Sequence, residues 1–448
     1  MNFDPLANFV LDPPAVPEQT LRMAATLLVD TLGVAAGAAS MDAGRIARNH
    51  AHRFHAALNA SDAATMLFDG RAASLPGAAF ATATQIDNLD AHDGLNATKG
   101  HIGCAVVPAL CAFAEQKPDL SARDALRAMV VGYEVAARAG FALHATVADY
   151  HTSGAWNSLG VAALGCLLRK STPTQLRHAL GIAEYHGPRS QMMREIANPT
   201  MLHDGSGMGA FVGAMAVLLA EQGFEGAPAI TVEDHAVLSH WNDLGVTWTT
   251  DANYIKPYPI CRWAHGALDA LSGLIRDHSV VAKDIRSIEV HTFAESAALF
   301  PGMPSTTSQA QYSLAFSLAA LVVHGELGPA QIQGAELRNP DVADLIARIS
   351  VHEDTRHSAR FPSGRWSNIN LHLNDGTVLQ SGDVNARGGP ESPMSNADFD
   401  AKFLTMTRCL GHKRQQDLLK MRKSLMDPNL KFAELLALLH APVEASAR

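Results

Sequence analysis

Apolar residues recur at helical spacing through most of the first 270 residues. Residues 20–39 are apolar around much of the helix circumference, which is the pattern of a helix buried on all sides. Further helical patterns cover residues 101–116, 122–143, 158–168, 174–185 and 208–222. The joints between them are rich in Pro, Gly and small polar residues, and N-caps are expected at Ser121 and within Ser171-Thr172-Pro173-Thr174. This part of the chain is predicted to be helical throughout.

The pattern changes from helical to alternating near residue 284. Residues 285–293 alternate, and residues 366–384 contain two alternating runs joined by Asn374-Asp375-Gly376, in which Asp-Gly is a strong hairpin signal. Helical patterns at 312–324 and 339–349 lie between these runs, and helices resume over 396–439. The expected fold class is mainly α: a large all-helical domain (residues 1–268 and 396–448) with an inserted smaller α+β lid domain (residues 269–395).

Composition and charge argue against several classes of protein. The 448 residues are 47% hydrophobic, carry a formal net charge of −9 and show no basic stripe of the kind that nucleic-acid binding requires. The start lacks the features of a secretory signal, and the apolar stretch over 210–220 is too short and too rich in Gly and Ala for a membrane span. The five cysteines include no CxxC pair, which indicates reduced thiols. We expect a soluble, cytoplasmic protein with neither nucleic acid nor membrane as a partner.

The strongest candidate for chemistry is the charged stretch over residues 87–110, DNLDAHDGLNATKGHIGCAVVPAL. It places Asp90, Asp93, Lys99 and His101 in front of an apolar helix, and burying such charges is costly unless they are paired or used. A carboxylate beside an imidazole makes a base of adjustable pKa, and Lys99 could pair with a substrate carboxylate. The alternative is a turn that only begins a helix. A metal site of His92, Asp93 and His101 is less favoured, because the short ligand spacings typical of zinc sites are missing from the sequence.

Three further segments carry candidate groups. His151 precedes Thr-Ser-Gly at a helix start, where hydroxyl and N–H donors suit an anion unless they only cap the helix. His203 lies in LHDGSGMG, which matches neither a phosphate loop nor a nucleophile elbow and is better explained as a closely packed helix start. Lys256, Arg262 and His265 lie in YIKPYPICRWAH, where two prolines hold the backbone extended. That segment is a rigid connector, a wall of a substrate cleft, or both.

With these segments in this order, the chain resembles the MmgE/PrpD family over nearly its whole length. The resemblance depends on the charged stretch followed by HIGCAVVPAL, and on GYEVAARAG, YHTSGAWNSLG, PTMLHDGSG, IKPYPICRWAH and GGPESPMS ahead of Lys402-Phe403. It implies a large all-α domain and a smaller α+β lid domain in a homodimer that uses neither metal nor organic cofactor. It also implies chemistry at a C–H bond next to a carboxylate of a short polycarboxylate, with catalytic groups at Asp90, His101, His151 and Lys256.

The chain departs from the family pattern at three places. Thr200 stands where many members have a lysine, and Lys99 belongs to a charged segment that is one residue longer. Phe316 stands where the family's decarboxylase has a tyrosine, with Tyr312 one helical turn away. These departures bear on which reaction of the family the chain performs.

The hypothesis is proton abstraction next to a carboxylate by His101 or His151, with Asp90 orienting one imidazole. The expected substrate-binding residues are Asp93, Lys99, His203, Arg262, His265 and Tyr312. The expected function is a cofactor-independent lyase or isomerase of a small polycarboxylate, similar to 2-methylcitrate dehydratase. The alternatives are an epimerase or decarboxylase of a related di- or tricarboxylate, and a degenerate protein that binds a dicarboxylate without turnover.

Overall fold

A computed structural model describes residues 3–443 of the chain. Its α-helices are α1 (Asp4–Leu11), α2 (Glu18–Gly37), α3 (Asp42–Phe54), α4 (Leu75–Asp87), α5 (Gly103–Glu115), α6 (Ala122–Thr146), α7 (Gly154–Arg169), α8 (Pro173–His186), α9 (Met192–Ala197), α10 (Ser206–Glu221), α11 (Ile230–Glu233), α12 (His265–His278), α13 (Ala294–Ala297), α14 (Thr307–Gln311), α15 (Leu314–His324), α16 (Pro340–Ile346), α17 (Thr355–Ser358), α18 (Asn396–Met406), α19 (His412–Ser424) and α20 (Phe432–His440). Its strands are β1 (Ala63–Thr65), β2 (Ala72–Ser74), β3 (Gly94–Leu95), β4 (Asn253–Tyr254), β5 (Ile285–Thr292), β6 (Ile349–Glu353), β7 (Trp366–Leu373), β8 (Val378–Gln380) and β9 (Val384–Asn385). The expectation of a mainly α protein with some sheet is confirmed.

The described residues divide into two units by their packing. Unit 1 consists of residues 3–192, 203–253 and 406–443, and unit 2 of Met193–Leu202 and Tyr254–Thr405. The domain boundaries expected from sequence, at 268/269 and 395/396, and the action of the smaller domain as a lid stay predictions.

The core of unit 1 is built from helices that are buried along nearly their whole length. α7 packs against α5, α6, α8 and α10, and α10 also packs against α4. α2 is the one helix within residues 3–443 that is long and apolar enough to cross a membrane, and 83% of its most apolar window is buried inside the protein. The predicted caps are in place: the Ser121 hydroxyl accepts the Asp124 N–H at 3.0 Å, and Thr172 forms a capping box with Gln175.

Unit 2 contains a sheet in the order β6-β5-β7-β8, with β9 also paired to β7. β5 and β6 are parallel, and the other pairs are antiparallel. Ile288 and Val290 of β5 point into the core with no exposed surface, which is the side that the alternating pattern predicts. α12 covers β7 and β9. The predicted hairpin joins β7 to β8, with Gly376 at a positive φ of 92° in the turn.

Two segments of unit 2 differ from the sequence-based expectation. The helix expected over 312–324 begins only at Leu314, because the Ser313 hydroxyl caps it by accepting the Phe316 N–H at 3.3 Å, and α14 ends before it. The helix expected over 339–349 ends at Ile346, and residues 349–353 form β6 instead. β6 is an edge strand whose residues are mostly exposed, so its sequence ISVHE carries little of the burial pattern that marks a strand.

Close approach between α6 and α7 depends on glycine. A methyl group at Gly160 would collide with the Gly132 carbonyl oxygen and would lie 2.7 Å from the Ala136 Cβ. Gly160→Ala is therefore expected to lower the free energy of unfolding by about 2 kcal/mol, despite the better helix propensity of alanine. Urea denaturation measures the change.

Gly273 in α12 is the matched control, because the nearest atom to an added Cβ there lies 4.0 Å away. Gly273→Ala is expected to be neutral or to stabilise by up to about 1 kcal/mol. Equal effects of the two substitutions would contradict the packing argument.

Candidate active site

The charged stretch forms a loop between α4 and α5 that is largely buried in unit 1. Asp90 and Lys99 both adopt left-handed conformations, at φ 54°, and the N–H of Leu95 donates to the Gly100 carbonyl at 2.9 Å. Asp90 is buried and Lys99 is half-buried. This doubled-back path turns several polar groups of the loop inward, where each must be hydrogen-bonded to offset the cost of burial.

Two imidazoles share one backbone acceptor in this loop. His101 Nδ1 lies 2.7 Å from the Asp93 carbonyl oxygen, and His92 Nδ1 lies 3.2 Å from the same oxygen. The two rings meet edge to face with centroids 4.5 Å apart. A carbonyl only accepts hydrogen bonds, so Nδ1 of His101 carries a proton and Nε2 is the nitrogen that exchanges one in the neutral ring.

A serine and an aspartate from two other segments hold His101. The Ser153 hydroxyl accepts the His101 backbone N–H at 2.9 Å and donates to Asp204 Oδ1 at 2.5 Å. The second oxygen, Oδ2, lies 3.8 Å from His101 Nε2. All three residues are buried. The sequence placed Ser153 and Asp204 in candidate segments but assigned neither a role.

The Asp93 side chain lies in the helical core. A Cβ on Gly103 would collide with its carboxylate and with the Tyr133 hydroxyl, and would lie 3.0 Å from Thr31 Oγ1. Burial raises the pKa of Asp93 to about 6, against the opposing effects of His92 and of the Tyr133 hydroxyl and Gly103 N–H. The carbonyl of Asp93 therefore serves the two imidazoles, while a substrate contact by its carboxylate stays a prediction.

A second buried network lies next to these imidazoles. Asp87 Oδ2 accepts the Ser206 N–H at 3.0 Å, and Asp87 Oδ1 lies 3.6 Å from His92 Nε2. The Cys104 thiol donates to the Ser206 hydroxyl at 3.1 Å, and burial raises the pKa of that thiol well above its usual range. Within the described part of the chain, the one trio with metal-ligand atoms this close is Asp87, His92 and Cys104. It differs from the trio of His92, Asp93 and His101 weighed from the sequence.

His151 lies at the edge of unit 1, where residues 150–152 run beside residues 190–192. The Thr152 N–H donates to the Ser190 carbonyl and the Met192 N–H to the Tyr150 carbonyl, both at 2.8 Å. Burial and then the charge of Arg189 lower the pKa of His151. The pairing of residues 150–152 with residues 190–192 brings Arg189 near His151. The spacing of these residues in the sequence does not reveal this placement.

Lys99 and Tyr150 are in contact beside His151. The Lys99 ammonium lies 4.7 Å from the Tyr150 ring centroid, and the Tyr150 hydroxyl donates to the Lys99 carbonyl. His144 accepts the His151 backbone N–H at 3.3 Å, and its pKa falls to about 4 because of burial and of Lys99. His203 is also buried in unit 1, in a left-handed conformation at φ 47°.

Unit 2 contains a group of buried basic residues. Lys256 has no exposed surface, and Arg262 and Lys402 are buried with 5% and 6% exposed. His265 is also fully buried, and its pKa lies well below 6.5 because of burial and of the charges on Arg262, Lys256 and Lys402. His265 Nε2 lies 3.1 Å from the Ile260 carbonyl, which leaves Nδ1 as an acceptor.

Arg262 is already bound to the backbone of its own unit. Its guanidinium donates to the carbonyls of Arg387 at 2.7 Å and Ala386 at 2.9 Å, and it lies 4.2 Å from the Tyr254 ring centroid. Burial lowers its pKa to about 10. This arrangement fixes the loop that carries Lys256, while a direct contact of Arg262 with substrate stays a prediction.

Tyr312 and Thr200 both lie in unit 2. Tyr312 is buried just after α14, and the Cys261 N–H binds the carbonyl of its neighbour Gln311 at 2.8 Å. This bond attaches the segment of Tyr312 to that of Lys256. The Thr200 hydroxyl donates to Glu195 Oε2 at 2.8 Å, so the residue at the position of the family's lysine caps a local turn.

The structure thus groups the predicted residues in two sets. Unit 1 brings together His92, Asp93 and His101, which Ser153 and Asp204 complete. Elsewhere in this unit Lys99 contacts Tyr150, and the charge of Arg189 acts on His151. Unit 2 brings together Lys256, Arg262 and His265, which Lys402 completes. Sequence reasoning missed Asp204, Ser153 and Arg189 as site residues. Asp204 could have been found from the His-Asp-Gly sequence just before a helix, where a carboxylate is favoured.

A helical unit with paired imidazoles and carboxylates, and an α+β unit with buried bases, define a two-part protein equipped for acid–base chemistry. The chain belongs to the MmgE/PrpD family: its N-terminal domain model matches residues 5–242 and its C-terminal domain model matches residues 258–427. The chain is similar to a cis-aconitate decarboxylase of Aspergillus terreus strain NIH 2624 / FGSC A1156, with 25% identity over 84% of this chain and 82% of the relative. A cis-aconitate decarboxylase-like protein oryM of Aspergillus oryzae strain ATCC 42149 / RIB 40 is 24% identical over 82% of both chains.

The raised pKa of Asp93 predicts a stability that depends on pH. The folded-state pKa of Asp93, about 6, exceeds the ordinary 3.8. Its contribution to the free energy of unfolding is therefore full below pH 3.8 and is lost as the pH rises through 6. Asp93→Asn removes this titration. The stability of the variant relative to the wild type should therefore rise by about 2 kcal/mol between pH 4 and pH 7, as measured by urea denaturation.

Asp354→Asn is the control, because the pKa of Asp354 is about 2, lowered by its bonds to Arg356. Its titration lies below pH 4, so the stability of this variant relative to the wild type should change little over the same range. If the stability of Asp93→Asn relative to the wild type also stayed constant between pH 4 and pH 7, the pKa of Asp93 would not be raised.

Proposed function

We propose that the protein is a lyase that acts on a small polycarboxylate by moving a proton at a carbon next to a carboxylate. The observation that carries this proposal is the placement of His101. Its Nδ1 binds the Asp93 carbonyl at 2.7 Å, and its Nε2 lies 3.8 Å from the buried carboxylate of Asp204. The family membership and the names of the relatives support the same class of substrate and reaction.

The first step is proton abstraction from carbon. His101 Nε2 takes the proton, and the electron pair of the C–H bond moves into the substrate carboxylate to form an enolate-like anion. Carbon acids of this kind are weak, so a positioned base and compensation of the new negative charge are both needed. The imidazolium that forms lies near Asp204, and a carboxylate at this distance stabilises it.

The second step decides the type of reaction. In dehydration the electron pair forms a double bond as a β-hydroxyl leaves with a proton, for which His151 is the proposed acid. Decarboxylation, which the relatives' names favour as the second candidate, needs no prior proton abstraction: the C–C bond to the carboxylate breaks, CO₂ departs, and a protonated imidazole delivers its proton to the carbanion that forms. In epimerisation the proton returns on the opposite face.

The buried bases of unit 2 are proposed to bind substrate carboxylates. Lys256 is the strongest candidate, because a fully buried ammonium interacts more strongly with an anion than an exposed one does. The prolines on its C-terminal side and the bond from Cys261 to Gln311 hold its segment in place. Lys99 and Arg189, beside His151, are proposed to bind a second carboxylate. The expected homodimer stays a proposal that size-exclusion chromatography with light scattering would test.

Solvent exchange of the substrate proton tests the proposed function. The protein is incubated in D₂O with cis-aconitate, 2-methylcitrate and a panel of dicarboxylates, and NMR follows deuterium at the carbon next to the carboxylate and the products. We expect exchange or turnover with at least one compound. His101→Gln should reduce that rate by about 10²–10⁴-fold, because it removes the proton carrier.

His178→Gln is the matched control, since His178 lies in α8 and its Nδ1 binds the Gly226 carbonyl at 3.3 Å. It should retain the wild-type rate. Release of CO₂ would favour decarboxylation, and loss of water would favour dehydration. Exchange of the proton without either product would favour epimerisation. Binding of a dicarboxylate without exchange or turnover would support the degenerate binding protein, and neither binding nor exchange with any polycarboxylate would reject the proposal.

Lys256→Gln tests the carboxylate-binding role. Loss of one charge-assisted hydrogen bond is expected to raise KM by about 10- to 100-fold, corresponding to 1.5–3 kcal/mol. Lys283→Gln in the same unit is the control, because Lys283 lies outside the buried group. Initial-rate kinetics on the active substrate of the panel measure both. An unchanged KM for Lys256→Gln in a folded variant would remove Lys256 from the proposed site.

A further inference from the structure

We propose that Asp204 and Ser153 position His101 for proton transfer, forming a Ser153–Asp204–His101 unit in which Asp204 balances the charge of the imidazolium. Neither residue touches the reacting atoms in this proposal, so both are positioning residues. The inference deepens the proposed function and rests on it for the role of His101 as the proton carrier.

The first argument is that hydrogen bonds through Ser153 connect the other two residues, with the Asp204 carboxylate facing the His101 ring. The Ser153 hydroxyl joins the His101 backbone to Asp204 Oδ1, and Asp204 Oδ2 faces His101 Nε2. The Asp93 carbonyl holds the opposite edge of the ring at Nδ1. The imidazole is therefore held by hydrogen bonds at its Nδ1 edge and at its backbone, which restricts rotation about its side-chain bonds.

The second argument concerns how Asp204 is held. Its Oδ1 also accepts the Ser153 N–H at 3.1 Å, and its carbonyl accepts the Gly154 N–H at 2.9 Å. Both N–H groups belong to the start of α7, where the helix dipole favours a negative charge. The start of α7 thus holds Asp204 at both its carboxylate and its main-chain carbonyl, beside the Nε2 edge of the ring.

The third argument is the separation of 3.8 Å between Asp204 Oδ2 and His101 Nε2. This is longer than the roughly 2.7–2.9 Å of a hydrogen bond between ions. A short bond from Nε2 to Asp204 would hold the neutral ring in the Nε2–H tautomer, which cannot accept a proton at that nitrogen, whereas at 3.8 Å Nε2 does not donate to Asp204. The contact can shorten once Nε2 is protonated, so Asp204 favours the imidazolium more than the neutral imidazole.

Within unit 1, His92 and Asp93 from its own loop and Asp204 from the segment before α10 face His101. Asp204 is the one whose carboxylate is aligned with Nε2. The His101 titration is therefore expected to respond to Asp204→Asn more than to any substitution that leaves this carboxylate in place.

The test is NMR of the imidazole nitrogens in the full-length protein, with the His101 signals assigned by comparison with His101→Gln. We expect a proton on Nδ1 and none on Nε2 in the neutral ring. Asp204→Asn should lower the titration midpoint of His101 by about one pH unit, because a nearby negative charge is lost. Ser153→Ala should lower it less, and Asp204→Glu, which keeps the carboxylate, should recover part of the shift.

Kinetics provide the second measurement if the exchange test has identified a substrate. Asp204→Asn should reduce kcat by about 10- to 100-fold with KM within about 3-fold, and the acidic limb of the pH–rate profile should move to lower pH. Ser158→Ala is the matched control, because this buried serine of α7 bonds only to the backbone carbonyls of Ala155 and Ala183. It should change neither the titration nor the rate.

An Nε2–H tautomer, or a His101 midpoint that does not move in folded Asp204→Asn, would overturn the positioning role. Thermal unfolding of each variant separates this result from loss of structure. Failure of the proposed function is distinguishable: in that case no compound exchanges or turns over, while the NMR titration still accepts or rejects the Ser153–Asp204–His101 unit.

Discussion

Three buried carboxylates at three helix starts are the constraint on which the helical unit depends. Asp93 lies against Gly103 at the start of α5, Asp204 binds the N–H groups that begin α7, and Asp87 accepts the first N–H of α10. Asp204 and Asp87 each accept a backbone N–H that a helix start leaves unpaired, and such a bond offsets part of the cost of burying a carboxylate. The helices converge on this charged centre, so the imidazoles between them are held by the same contacts that hold the fold.

Much of the fold could be predicted from the sequence, because its signals are local. The helices of unit 1, the caps at Ser121 and Thr172 and the hairpin at Gly376 each depend on residues a few positions apart. β6 was missed because an exposed edge strand has no apolar alternation to detect. The break before α15 was missed because one serine, Ser313, caps the helix within a stretch whose overall pattern is helical.

The candidate site was predicted less completely because its decisive contacts are not local. His101 and Asp204 are about a hundred positions apart in the sequence, and Ser153 lies between them. Composition and spacing could indicate that each of the three segments is unusual. They could not indicate that the Ser153 hydroxyl would join His101 to Asp204. The sequence also could not separate the two parts of Asp93, whose carbonyl orients imidazoles while its carboxylate is buried among core helices.

The shared carbonyl of Asp93 has a consequence for how such a protein can vary. The atom that aligns both rings belongs to the main chain, so every amino acid at position 93 supplies it. The alignment can be altered chiefly through the path of the loop, which the left-handed conformations of Asp90 and Lys99 help to define. Side chains along this loop can therefore be exchanged for others of different chemistry while the main chain still aligns the two imidazoles through their Nδ1 atoms.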